Sequence, residues 1–95
     1  MKSWADRLPQ IPFAYRALPA ESAWTTQEDA AAQLGTGLVR VGWSVANRRL
    51  DAVRTTTPGQ LAVSRAGIDA EKRWRAAASP GQKAWRLFKD LLGWV

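Results

Sequence analysis

The chain has 95 residues, with 14 Lys and Arg against 8 Asp and Glu, and it contains neither His nor Cys. A chain of this length forms one domain and leaves little room for a buried catalytic cleft beside its core. The missing His and Cys exclude disulfides, thiol nucleophiles, His-dependent catalysis and most zinc and iron–sulfur sites. We therefore expect a small basic binding protein that is not an enzyme and that uses no cofactor and no metal.

The composition also bears on location. No run of about 18 apolar residues occurs, which excludes a helix that spans a membrane. The first residues, MKSWADRLPQIPF, carry charges and prolines where a signal peptide needs an apolar segment. Packing without disulfides suits a reducing compartment, so we expect a cytoplasmic protein.

The positive charge is concentrated in the middle of the chain. Residues 36–78 hold eight Arg and Lys against three Asp and Glu, whereas residues 1–35 have one negative charge in excess. Ten of the 14 cations are arginines, and a planar guanidinium suits phosphates and guanine edges better than an ammonium does. This distribution is typical of a nucleic-acid-binding protein, although a solvated basic surface would give the same counts.

The first 24 residues differ from the rest of the chain. They contain prolines at positions 9, 12 and 19 and many large apolar side chains. Because proline ends helices, no long helix is expected here. We interpret residues 1–24 as an N-terminal aromatic and proline-rich arm that packs on the domain or on a partner.

The central segment, residues 25–78, begins with a short predicted helix. Thr25 or Thr26 can accept hydrogen bonds from its first turn, where Glu28 also complements the helix dipole. The sequence AAAQL continues the helix, and Gly35 supplies the left-handed residue that ends it.

A second helix is predicted from Leu38 to Arg48, after a two-residue turn that contains Gly37. Leu38, Val41 and Val45 recur at helical spacing and form one apolar stripe. The other face carries the side chains that can contact a ligand: Arg40, Trp43, Ser44 and Asn47.

A hairpin and a third helix complete the central segment. Residues 50–55 and 61–65 alternate apolar and polar side chains, and the turn-forming sequence TTPGQ lies between them. Ser64 can cap a third helix over about residues 65–78. The order helix, tight turn, helix, hairpin, helix predicts a winged helix-turn-helix in a mainly α chain with one β-hairpin.

Such a unit places its second helix in the major groove of duplex DNA and its hairpin and helix ends on the backbone. The candidate DNA contacts are therefore the polar and basic residues of the second helix, of the turn after it and of the hairpin. They are Arg40, Trp43, Ser44, Asn47, Arg48, Arg49, Arg54 and Arg65. A solvated helix face is the alternative for the charged residues, and for Trp43 a place in the core or in an interface is the more common role.

Residues 25–75 also resemble the small MerR-like excisionase family. The resemblance is carried by TQEDAAAQLG over residues 26–35, by LDAVR over residues 50–54, and by GQLAVSR followed by Ile68-Asp69. The family pattern has a TxEEAAxLLG helix, a recognition helix, a GxLPAVR segment and a wing, and the spacing from Gly35 to LDAVR agrees without a gap. Gly37 stands where the family usually has serine, and Arg48 where it has glycine.

The resemblance implies a recombination directionality factor of a phage or mobile element, working in the cytoplasm of a bacterial host cell. Such proteins bind repeated sites in double-stranded DNA, bend the DNA and bias a separate integrase toward excision. The recognition helix would run from Gly37 to Arg48 and the wing from Thr55 to Gln60. A small transcriptional repressor on the same scaffold is one alternative. A protein-interaction factor that binds a host or partner protein through its tryptophan-rich arms is the other.

Residues 79–95 are expected to form an amphipathic fourth helix from Pro80 to Val95. Its apolar stripe is expected to pack on the domain or on the N-terminal arm, and a partner or dimer surface is the next interpretation. The residues assigned to that surface are Trp85, Leu87, Phe88, Leu91 and Trp94. Association with a membrane surface is the least favoured of the three interpretations.

Overall fold

The computed structural model describes residues 4–92, which form four α-helices, two short 3-10 helices and a three-stranded antiparallel sheet. The 3-10 helices are Trp4–Arg7 and Tyr15–Ala17. The strands are β1 (Trp24–Thr26), β2 (Ala52–Arg54) and β3 (Leu61–Ser64). The helices are α1 (Gln27–Leu34), α2 (Leu38–Ala46), α3 (Arg65–Ala77) and α4 (Pro80–Leu92).

The sheet has the strand order β1-β3-β2, with β3 antiparallel to both neighbours. Strands β2 and β3 form the predicted hairpin, in which Val53 lies opposite Ala62. The sequence does not predict β1, because three residues are too few to show an alternating pattern. Only the pairing of Trp24 with Ser64 and of Thr26 with Ala62 makes this stretch a strand. The expectation of one hairpin is therefore corrected to a sheet of three strands.

Local signals position α1 and α3 as predicted. The Thr26 hydroxyl accepts a hydrogen bond from the backbone N–H of Asp29 at 3.1 Å, and Gly35 ends α1 with a left-handed φ of 65°. The Ser64 hydroxyl accepts from the N–H of Gly67 at 3.1 Å and caps α3. These predicted caps and the C-terminal glycine of α1 are confirmed.

Helix α2 ends at Ala46, two residues before the predicted end at Arg48. Arg48 has a φ of 62°, in the left-handed region that favours glycine. The backbone N–H groups of Arg48 and Arg49 donate to the carbonyls of Val45 and Ser44, which closes this turn. The turn therefore forms with an arginine in a glycine-like conformation.

The core lies between the sheet and the inner sides of α1, α2 and α3. Its most completely buried large side chains are Leu50, Ile68, Val41 and Val63. Val41 and Val45 of the predicted α2 stripe are buried as expected, but Leu38 is 51% exposed. The stripe of α2 thus begins one turn later than the sequence predicts.

The N-terminal arm packs on the domain. The N–H of Ile11 donates to the carbonyl of Arg54 at 2.9 Å, and the N–H of Arg54 donates to the carbonyl of Pro9 at 2.7 Å. These bonds place the arm along the free edge of β2. The buried Tyr15 hydroxyl accepts from the N–H of Gln27 at 2.8 Å, at the first turn of α1. The arm therefore covers a sheet edge and satisfies a helix N-terminus.

Helix α4 packs across α2 at the end of the chain. It begins at Pro80 as predicted, after Ser79, whose hydroxyl accepts from the N–H of Gln82 at 3.2 Å. Residues 93–95, which the prediction assigns to the same helix, lie outside the described residues. Within residues 4–92, none of the helices has both the length and the apolar character needed to cross a bilayer.

Candidate nucleic-acid interface

Helices α1 and α2 are joined by a tight turn of three residues, 35–37. The N–H of Thr36 donates to the carbonyl of Ala31 at 3.0 Å, which folds the turn back on α1. Gly37 occupies the position before α2 and offers no side-chain cap. The backbone of the turn thus sets the angle at which α2 leaves α1, and the first turn of α2 has no capping hydroxyl.

The N-terminal part of α2 stands at the surface. Leu38 is 51% exposed and Val39 is 65% exposed, and the Arg40 side chain beside them is also exposed. Arg48, just after the helix, is exposed as well. None of the ion pairs among the described residues includes Arg40 or Arg48. This surface therefore combines two apolar side chains with two cations at opposite ends of the helix.

Ser44 does not belong to that surface. It is 5% exposed, and its hydroxyl donates to the carbonyl of Arg40 at 3.1 Å. Position 44 lies beside Val45 and faces the cavity that separates α2 from α3 and α4. The prediction that Ser44 is a DNA contact is therefore wrong, because the residue lies on the inward half of the helix.

Trp43 and Asn47 are half-buried. The Asn47 side-chain amide donates to the carbonyl of Trp43 at 2.8 Å, so it satisfies a backbone acceptor at the end of α2. Trp43 has interactions of its own within the chain. Both residues lie beside the exposed surface of α2, and both make interactions within the folded chain.

Arg49 faces inward instead of outward with Arg40 and Arg48. It pairs with Asp90 of α4, and the two side chains are only 18% and 7% exposed. The prediction that Arg49 contacts DNA from an outward position is corrected by this partner. Nothing in the sequence signals the pair, because its members are 41 positions apart.

Arg54 and Arg65 attach the arm to the domain. The Arg54 Nε donates to the carbonyl of Leu8 at 2.9 Å, and the Arg65 Nε donates to the carbonyl of Ser22 at 3.0 Å. Both side chains are half-buried. The sequence prediction that they sit beside phosphates did not include these roles in the fold.

The loop between β2 and β3 contains no charged residue, and hydrogen bonds hold its conformation. The Thr55 hydroxyl donates to the carbonyl of Gln60 at 3.0 Å, and the Thr57 hydroxyl accepts from the N–H of Tyr15 at 3.1 Å. Gly59 takes a φ of 76°, which closes the turn. A groove of about 480 Å³ lies between this loop, the arm and α2, but its walls bring only Arg54 as a cation.

A cavity of about 300 Å³ opens where α2, α3 and α4 meet. Its walls combine five cationic side chains with two carboxylates. The cations are Arg40, Arg49, Arg75, Lys83 and Arg86, and the carboxylates are Glu71 and Asp90. Because the carboxylates are paired with Arg49, Arg75 and Arg86, the unpaired charge at this opening comes from Arg40 and Lys83.

Sequence reasoning missed the two buried carboxylates. Glu71 is 6% exposed and lies between Arg75, at 3.5 Å, and Arg86, at 2.6 Å. The guanidinium of Arg86 also lies over the Trp74 ring, 3.8 Å from its centroid. The spacing of Glu71 and Arg75 on one helix was a usable signal. Asp90, on the polar side of the amphipathic helix α4, gave none.

The predicted partner surface of α4 is exposed over most of its length. Trp85, Phe88 and Leu91 are exposed, and Leu87 is half-buried. Trp94 lies outside the described residues. The preferred expectation, that the apolar stripe packs on the domain, is therefore wrong, because the side of α4 that meets the domain is its charged side.

Comparison with protein-family models, with curated proteins and with solved structures gives no match to this chain. The resemblance of residues 25–75 to the excisionase family therefore stays a prediction. Among the features described above, the exposed part of α2 carries the most information about function.

Proposed function

We propose that this chain binds double-stranded DNA as a winged helix-turn-helix protein, with α2 as its recognition helix. Two helices joined by a three-residue turn that contains two glycines are typical of a helix-turn-helix. The β2–β3 hairpin follows α2 directly and pairs with β1 in one sheet, which is where a wing would lie. The arm and α4 are additions on either side of this unit.

The exposure of the first turn of α2 carries this proposal. Recognition helices contact base edges mainly through their N-terminal residues. Here the N-terminal residues Val39 and Arg40 are both exposed, and Arg40 lies at the opening between α2 and α4. An arginine can bind the O6 and N7 atoms of guanine, and an apolar side chain can contact a thymine methyl. The exposed pair thus has the chemistry for direct reading of a short sequence.

Charge supports the same orientation. The chain carries a formal net charge of +6, and Arg40 and Arg48 mark the two ends of the proposed recognition surface. Lys83 of α4 lines the same opening as Arg40 and extends the cationic surface beyond α2. Because the hairpin loop is neutral, we expect phosphate contacts around α2 to contribute more than contacts of the wing.

A salt titration on random duplex DNA tests the proposal. Affinity should fall linearly on a log–log plot, with a slope of about −0.9 for each phosphate that the protein neutralises. Arg40→Ala and Arg48→Ala should each make the slope shallower by about 1 if the residue contacts a phosphate. Arg73→Ala removes an exposed arginine from α3 and is the matched control. Lack of binding at low salt, or equal slopes in all four proteins, would refute the proposal.

A second measurement separates base reading from backbone contact at Arg40. On a site selected from a random duplex library, Arg40→Ala should weaken binding by about 1–3 kcal/mol if the guanidinium reads a base. The same variant should then lose less affinity for unselected DNA. Equal losses on both DNAs would assign Arg40 to the phosphates.

The physiological role that we propose is that of an excisionase-like accessory factor, with a transcriptional repressor as the alternative. The proposal of excision, and of an integrase as the partner, rests on the resemblance of residues 25–75. An accessory factor of that kind should bend its site, whereas repression requires only occupancy. The mobility of complexes on circularly permuted fragments distinguishes the two, since tight binding without a bend favours repression.

A further inference from the structure

Helix α4 is amphipathic, and its apolar side faces the solvent. Trp85 is 62% exposed, Phe88 is 51%, Leu91 is 46% and Leu92 is 56%. With about 100° of rotation per residue, these four side chains occupy a sector of about 120° on one side of the helix. The rings of Trp85 and Phe88 stack, with their centroids 5.7 Å apart. The four residues are named the α4 stripe below.

Charged groups fix the orientation of α4. Asp90 is buried and pairs with Arg49 of the turn after α2. Arg86 pairs with the buried Glu71 at 2.6 Å and lies over the Trp74 ring of α3. A buried carboxylate that loses its partner is strongly destabilising, so these contacts oppose a rotation that would bury the stripe. The stripe therefore stays on the outside while the isolated chain is folded.

The surroundings of the stripe are cationic. Lys89 is exposed and lies about 40° around α4 from Trp85, and the single carboxylate of this helix, Asp90, is buried. The groove next to Trp85 is lined by Lys89, Arg86 and Arg49. A partner that covers the stripe would therefore meet an apolar strip with positive charge beside it.

We propose that the α4 stripe binds an amphipathic helix of another protein, one that carries Asp and Glu beside its own apolar residues. Helix pairing of this kind uses apolar anchors spaced by three and four residues, as Trp85, Phe88 and Leu92 are. The exposed apolar area of the stripe is on the order of 400 Å². That is about half of the ~800 Å² per partner in a standard interface, which suits a single helix.

Two other occupants fit less well. A second copy would add a chain of net charge +6, and α4 has no exposed carboxylate to offset the positive charge that two copies bring together. An anionic bilayer would complement the positive charge beside the stripe. However, α4 packs across α2, so lipid headgroups would lie close to the phosphates of bound DNA. Only this argument against a bilayer depends on the proposed function.

The test uses the full chain and a labelled synthetic peptide of about 18 residues, with a leucine stripe flanked by glutamates. Fluorescence anisotropy should detect binding, and a scrambled peptide of the same composition should bind at least about tenfold more weakly. The scrambled peptide keeps the charge but loses the stripe. Equal binding of both peptides would reduce the interaction to net charge and overturn the proposal, as would no binding of either.

Matched variants locate the binding surface. Phe88→Ala and Leu92→Ala should each weaken peptide binding at least about fivefold. Phe13→Ala removes another exposed phenylalanine, 41% exposed on the arm, and should leave the affinity unchanged. Circular dichroism checks that every variant is folded. Equal losses in Phe13→Ala and Phe88→Ala would place the peptide elsewhere and reject the proposal.

Two further measurements address the other occupants. If sedimentation shows a dimer that Phe88→Ala dissociates, the partner on the α4 stripe is a second copy of this chain and not a helix of another protein. If the chain binds phosphatidylglycerol vesicles but not the peptide, and Phe88→Ala abolishes vesicle binding, the partner on the α4 stripe is a lipid surface. Because the peptide assay contains no DNA, failure of the proposed DNA binding and failure of this proposal are recorded separately.

Discussion

Helices α2 and α4 pack against each other, but α2 turns its apolar side toward the core, whereas α4 turns its charged side toward the domain. In α2 the apolar residues Val41 and Val45 face the core, and Arg40 is at the surface. In α4 the charged residues Arg86 and Asp90 face the domain, and the apolar stripe is at the surface. Both helices show a clear apolar stripe in the sequence.

The difference teaches that an apolar stripe predicts a helix more safely than it predicts which side of the helix is buried. For α2, the hydrophobic gain of burying valines decides the orientation. For α4, two buried carboxylates decide the orientation: Asp90 pairs with Arg49 of the turn after α2, and Glu71 of α3 pairs with Arg86 on the inner side of α4. The remaining exposed apolar area is then free for a partner, as proposed above.

The largest effect on stability is expected for Leu50→Ala, just after α2. Leu50 is 1% exposed, and its truncation should lower the free energy of unfolding by about 2–5 kcal/mol in urea titrations. The matched change Leu92→Ala, in the α4 stripe, should alter it by less than about 0.5 kcal/mol. If Leu92→Ala lowers the free energy of unfolding by more than about 1 kcal/mol, the α4 stripe is packed against other side chains in solution.

An intermediate effect is expected for Glu71→Gln, which removes the charge that pairs with Arg75 and Arg86. The amide keeps the size of the side chain but leaves two partly buried guanidinium groups without a carboxylate, so unfolding should become easier by about 2 kcal/mol. Asp69→Asn, at an exposed position of the same helix, is the control and should change little. If both variants unfold alike, the ion pairs do not hold α4.

The smallest effect concerns Asp29 of α1, a carboxylate held by neutral donors. The Thr25 hydroxyl donates to it at 2.8 Å and the Gln33 amide at 2.6 Å, and these bonds lower the pKa of Asp29 below its usual 3.8. Because the folded state then favours the ionised form, this stabilisation is present above about pH 4 and is lost as the pH falls through the lowered pKa.

Thr25→Val keeps the shape of that side chain and removes its hydroxyl. We expect the pKa of Asp29 to rise toward its usual value in an NMR titration, and stability near neutral pH to fall slightly. At pH values below the lowered pKa, where the carboxyl is protonated in both proteins, the difference in stability should shrink. An unchanged titration curve would show that the Thr25 hydroxyl does not lower the pKa of Asp29.

Signals within a few residues were enough to predict the ends of two helices and the hairpin. Thr26, Gly35 and Ser64 act on backbone groups within about four positions, so their signals suffice to place the ends of α1 and the start of α3. The turn-forming sequence TTPGQ, in which Gly59 has a φ of 76°, likewise suffices to place the hairpin between two short apolar segments.

Tertiary structure decided the candidate site. Arg49 lies inward because of Asp90, Arg54 binds the carbonyl of Leu8, and strand β1 exists only beside β3. Each of these partners is about 40 positions away in the chain. Burial and pairing over such separations depend on how the helices and strands pack, and the residue pattern around any one position does not contain that information. The same reason explains why the sequence marked α4 as amphipathic and only the fold turned its apolar side outward.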